Sequence, residues 1–142
     1  MVMIDKILAK VLKQNFDNCK IYTKRAEQIK TPAFRLKTIK DSFDKKLGNL
    51  YKNEKLYQIV YMPKEDKQYI TDDDELENVA FTLYDILEIM TLEGVTLKGY
   101  DMSYRIEDNT LQFFVTFKIR YYRQKEQNIM QQLKLNEKTK GE

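Results

Sequence analysis

Apolar and polar positions alternate most regularly between residues 96 and 122, where two runs rich in β-branched and aromatic residues flank Asp108-Asn109. A two-residue link of this kind between such runs predicts a β-hairpin. With Glu107 opposite Thr110, the pairs running outward are Ile106/Leu111, Tyr104/Phe113, Met102/Val115 and Tyr100/Phe117. All are apolar on both sides and fall on one face, because side chains alternate along a strand. The other face carries Asp101, Ser103 and Arg105 against Thr116, Phe114 and Gln112, with Lys118 and Arg120 beyond. A slip of one residue would put the charged set in the core, so the pattern predicts a single register.

Two stretches have helical spacing instead. In residues 3–16, Ile4, Ile7, Leu8, Val11 and Leu12 form one stripe, with Asp5, Lys6, Lys10 and Lys13 opposite. The second helix is predicted to open at Thr71-Asp72-Asp73-Asp74-Glu75, where Thr71 or Asp72 caps the free N–H groups and the acids oppose the helix dipole. It runs on through Leu76, Val79, Ala80, Leu83, Ile86, Leu87 and Met90 and is expected to stop at Gly94. Its stripe suits the apolar face of the hairpin, so Leu83 and Leu87 should meet Met102, Tyr104, Phe113 and Val115.

Shorter extended runs lie between the helices, at residues 20–27, at 33–39 after Pro32, and at 56–62 before Pro63. Residues 40–55 hold Gly48-Asn49 amid Lys40, Lys45, Lys46, Lys52 and Lys55, yet also Phe43, Leu47, Leu50 and Tyr51. This is no plain polar linker, and it reads as a long protruding loop or β-arm. Beyond Arg123 the chain is polar, with Ile129, Met130, Leu133 and Leu135 as its apolar anchors. The expected architecture is α+β: a mainly antiparallel sheet of about 4–5 strands with two amphipathic helices packed on one face. Residues 1–123 form a single domain, 40–55 its arm and 124–142 a polar C-terminal tail.

Composition narrows the chemistry. At 142 residues, 42% hydrophobic and 33% charged, the chain can bury a core without staples. Its net charge of +3 is too mild to indicate nucleic-acid binding. The chain contains no histidine, which excludes Ser-His-Asp and Cys-His catalysis and most zinc sites. The single Cys19 reads as a packing residue. The acids at 72–75 raise Mg²⁺ or Ca²⁺ binding, but without a second acidic cluster they read as a cap, and no metal or cofactor is expected. No apolar run reaches the ~20 residues of a bilayer span, and charges interrupt residues 1–16 as a signal peptide. The expectation is a protein of the cytosol, or assembled from it, with no membrane partner.

The opening Met3-Ile4-Asp5 helix is followed by Lys20-Ile21-Tyr22, then by Lys46-Leu47-Gly48 ahead of Tyr51. Tyr57-Gln58-Ile59-Val60-Tyr61-Met62-Pro63 comes next, and the chain closes with Leu111-Gln112-Phe113-Phe114-Val115 running to Met130-Gln131-Gln132-Leu133. Taken together, these blocks resemble the tail terminator family of Gram-positive phages and defective prophages with contractile tails. The resemblance implies a structural protein, not an enzyme, that forms a ring, typically a hexamer, capping the tail tube and offering the surface joined by the head. Its partners would be other copies of itself, the tail tube and head–tail connector proteins. Its place would be the virion tail or a phage-tail-like particle, assembled in the host cytoplasm.

On that footing Lys40, Lys45, Lys46, Lys52 and Lys55 of the arm would face the lumen or a partner, including the passing DNA. Ile129, Met130 and Leu133, at i, i+1 and i+4, would dock on an adjacent protein. Another head–tail connector or assembly protein is the nearest alternative. A small nucleic-acid-binding module is a third, from Arg105, Lys118 and Arg120 beside Phe114 and Tyr122, although Asp101 and Glu107 dilute that face.

Overall fold

A computed structural model describes residues 4–24, 28–64, 73–92 and 94–122. In order, the elements are α1 (Ile4–Asn15), β1 (Lys20–Tyr22), β2 (Ala33–Lys45), β3 (Leu50–Met62), α2 (Asp73–Glu88), β4 (Ile89–Leu92), β5 (Val95–Glu107) and β6 (Thr110–Tyr122). The strands form one sheet in the order β1-β2-β3-β6-β5-β4. β1 runs parallel to β2, whereas β4/β5 and β5/β6 are antiparallel. The fold is therefore α+β with a mixed sheet of six strands, more than the four or five expected.

The chain divides into two units, one of Met1–Asp41 with Lys55–Lys118, the other of Ser42–Glu54 with the segment from Ile119 onward. In the first unit both helices cover one face of the sheet. The α1 stripe Ile4, Ile7, Leu8, Val11 and Leu12 is buried, as its spacing requires. Phe16, just past α1, packs at a tilt against Phe34 of β2 with ring centroids 4.8 Å apart. On α2, Leu76, Ala80, Leu83 and Leu87 are buried, and Tyr84 meets Phe113 edge-on at 5.0 Å. Tyr57 of β3 and Phe117 of β6, 5.9 Å apart, join the two halves of this core.

The second helix is shorter than its periodicity suggests. It ends at Glu88, and Ile89–Leu92 is the edge strand β4, pairing Met90 with Leu97 and Thr91 with Thr96. Buried Met90 satisfies a helical stripe and a strand alternation equally, so periodicity could not separate the two. Gly94, with φ +79°, serves the β4–β5 turn and is not a helix cap. The expected cap at Thr71 or Asp72 lies outside the described residues, as do residues 25–27 of the first extended run.

The long hairpin closes through Asp108 and Asn109, both at positive φ (51° and 59°), as a tight two-residue turn of that twist requires. From the turn outward the pairs are Glu107/Thr110, Ile106/Leu111 and Tyr104/Phe113, as predicted. Beyond Ser103/Phe114 the ladder resumes at Tyr100/Thr116 and Gly99/Phe117, so β5 contains one extra residue, a β-bulge. Asp101 in the bulge has φ 53°, a left-handed conformation that aspartate tolerates better than most residues.

Tyr100 therefore faces Thr116, not Phe117, and lies on the outer face. Gly99 takes the inward place. A Cβ at Gly99 would stand 2.4 Å from the Leu87 carbonyl oxygen and 3.0 Å from Val115 Cγ2. The last turn of α2 lies too close on β5 for any side chain there, and the bulge carries the large Tyr100 out of its way.

Candidate functional site

Residues 40–55 are strand, turn and strand. β2 continues to Lys45, β3 begins at Leu50, and the Lys46 amide donates to the Leu50 carbonyl at 2.7 Å. Gly48, with φ +68°, makes the tight turn. Within the second unit, the Phe43 and Tyr51 rings pack at 5.4 Å, and Asn53 Nδ2 donates to the Ser42 carbonyl at 2.9 Å. Leu47 at the turn is 96% exposed and Phe43 is 43% exposed.

The five lysines singled out from the sequence do not form one cluster. Lys40, Lys45 and Lys46 are exposed. Lys52 pairs with Glu54 at 3.1 Å. Lys55 belongs to the core side of the first unit, 3.7 Å from Asp5 of α1 and 4.0 Å from Asp41 of β2. It also stands 5.6 Å from the centroid of the Tyr57 ring, whose hydroxyl donates to the same Asp5 carboxylate. Burial, aided by the Asp5 carboxylate, holds the Tyr57 hydroxyl well above its ordinary pKa. This group fastens α1 to β3.

The outer sheet face of the first unit is lined by cations lying on rings. Lys118 Nζ stands 4.4 Å and Lys98 Nζ 5.2 Å from the Tyr100 centroid, and the Arg105 guanidinium lies 5.6 Å over Phe114. Arg105 Nε also donates to Gln112 Oε1 at 2.9 Å, and Gln58 Nε2 reaches the same oxygen at 3.2 Å. The bulge creates the Tyr100 part of this surface. Its one sequence signal is Gly99 inside an otherwise regular strand. Ile89, which pairs with Lys98 across β4 and β5, is 60% exposed.

Cys19 is buried, and that burial pushes its thiol pKa up, against the thiolate a nucleophile needs. Among the described residues, no three or more His, Cys, Asp or Glu side chains gather where they could hold a metal ion. No helix among them is long and apolar enough to cross a membrane. Ile129, Met130 and Leu133 lie outside the described residues.

A chain with exposed cationic and apolar surface on a sheet scaffold matches, over residues 3–129, a family described as phage tail terminator protein. The chain belongs to the phage tail terminator family. The match takes in every element from α1 to β6, and with it goes a structural role in the phage tail, as a component of the virion. As a tail terminator it interacts with other tail components. A search of curated proteins found no match.

Proposed function

We propose that this tail terminator forms a ring, hexameric by analogy with the family resemblance, that caps the tail tube and presents the surface to which the head is joined. The observation that carries the reading is the family match over nearly the whole chain. It is supported by surface that a lone subunit has no use for: an arm ending in an exposed Leu47 and an outer face bearing Lys98, Tyr100 and Lys118. In this proposal the role is mechanical, with no reaction and no cofactor. Assembly takes place in the host cytoplasm, in a phage or a defective prophage.

The arm lysines Lys40, Lys45 and Lys46 would approach the lumen or a partner, where the tube below and the DNA passing through are the available surfaces. The segment holding Ile129, Met130 and Leu133 would be a second contact with an adjacent protein.

The test is complementation of particle assembly with a chain lacking residues 45–52. The shortened protein should leave tails without a defined end and heads unjoined. Intact particles at the wild-type yield would refute the role of the arm. A second reading, nucleic-acid binding by the outer face, is favoured by the two lysines on Tyr100. Single-strand binding that weakens steeply across a salt series would support it, and no binding at low salt would remove it.

A further inference from the structure

The exposed flank of α2 has an unusual composition. Asp74, Asn78, Phe81, Asp85 and Glu88 recur at helical spacing and are all exposed, opposite the buried stripe of Leu76, Ala80, Leu83 and Leu87. The helix carries six carboxylates, Asp73, Asp74, Glu75, Glu77, Asp85 and Glu88, and neither lysine nor arginine. The usual i,i+4 acid–base pairs are therefore absent from it. In the middle of the flank stands Phe81, 55% exposed, touching Tyr104 edge-on at 6.4 Å. One side of this large ring packs on Tyr104, and the other stands open among carboxylates.

The tip of the arm has the opposite character. Leu47 and Phe43 are its exposed apolar groups, the latter propped by Tyr51. Lys45 and Lys46 are exposed immediately before Leu47. We propose that the arm tip of one copy docks on the α2 flank of a second copy. Leu47 and Phe43 would cover Phe81, and Lys45 and Lys46 would face the carboxylates on either side of it. Along the helix axis Asp85 lies about 6 Å and Asp74 about 10 Å from Phe81, distances that two lysine side chains can bridge.

Charge selects the occupant. Two α2 flanks, or two arm tips, would bring like charges together, which opposes a symmetric dimer through either surface alone. Arm on helix uses two different surfaces, and such a contact repeats until it closes as a ring or runs on as a filament. The inference rests on the ring reading above and names the surfaces that build it.

Two charge-reversed proteins test it, K45E/K46E on the arm and D74K/D85K on the helix, with mass in solution followed by sedimentation over a range of protein concentration. Each alone should associate at least tenfold more weakly than wild type. An equimolar mixture should recover, because alternating copies then pair opposite charges at both kinds of contact. Wild-type association should also weaken with salt, since screening shortens from about 10 Å at 0.1 M to about 3 Å at 1 M.

If either variant associates like wild type, or the mixture stays dissociated, the contact is wrong and the ring must use other surfaces. If wild type remains monomeric at every concentration, the ring reading falls with it. Should a reversed protein fail to fold, F81S and L47S replace it. Unchanged association of both would equally overturn the proposal.

Discussion

Replacing Gly99 by alanine adds one methyl group at the point where α2 and β5 are closest. In a strand this exchange ordinarily helps by about 0.5–1 kcal/mol, because glycine loses more freedom on folding. Here the new Cβ would lie 2.4 Å from the Leu87 carbonyl oxygen, well over 1 Å inside a normal contact, and 3.0 Å from Val115 Cγ2. The first obstacle is backbone, so a rotamer change cannot relieve it. Either the last turn of α2 or β5 must move, and such overpacking costs typically 1–3 kcal/mol. Taking the upper end, because a main-chain group is struck, leaves a net loss of about 2 kcal/mol. For a chain of this length that lowers Tm by roughly 6–10 °C.

Denaturant unfolding should show a lower midpoint at an unchanged slope. The control is Val115→Ala, which removes the side-chain contact and leaves the carbonyl. In that background Gly99→Ala should be about as damaging as in the wild type, giving a double-mutant coupling near zero. A neutral or stabilising Gly99→Ala, or its full rescue by Val115→Ala, would refute the account of the close approach.

Leu83 is fully buried on α2, and Leu83→Ala should destabilise by about 2–5 kcal/mol through lost burial and the cavity left behind; a loss under about half a kcal/mol in the same assay would count against it. Tyr57→Phe should lose about 0.5–1.5 kcal/mol, the net worth of the hydrogen bond to Asp5, whose carboxylate keeps Lys55 beside it. Because the folded Tyr57 pKa is raised above its ordinary value of 10.0, that stability is complete below pH 10 and is lost as pH rises beyond it. The gap between wild type and Tyr57→Phe should therefore close in alkaline titrations; a gap constant to pH 11 would contradict the linkage. Truncation after Arg123 should leave Tm unchanged and weaken self-association in sedimentation or attachment to the tail, whereas assembly and attachment both at wild-type strength would show that Ile129, Met130 and Leu133 make no contact.

The hairpin register near its turn was legible because the five consecutive pairs from Glu107/Thr110 to Ser103/Phe114 depend only on alternation and on the turn. The α1 stripe was legible for the same local reason. What escaped the pattern was set by tertiary contact. The bulge at Asp101 answers the nearness of the α2 backbone, which hydropathy along the chain does not record. The switch from helix to strand at Ile89 was hidden because Met90 fits both the helical stripe of Leu83 and Leu87 and a strand alternation with Leu92, and pairing with β5 decided between them. Among the arm residues, the sequence supplied the lysines but not their acidic neighbours. Asp5 lies fifty positions from Lys55, and only the folded chain brings them together.

The extra residue at Asp101 also acts like a frame shift written in space. Residues before it and residues after it are read by the core with opposite parity, so the bulge decides which side chains of 95–100 the helix sees. Were the strand to run through Asp101 without bulging, the alternation would extend straight back from Met102: Tyr100 and Lys98 would turn toward α2 while Gly99 and Leu97 would turn to solvent. With these residues in place, the glycine's inward position depends on the bulge. Deleting Asp101 outright would by contrast keep Gly99 opposite Phe117 and Tyr100 opposite Thr116, and so leave Tyr100 on the outer face.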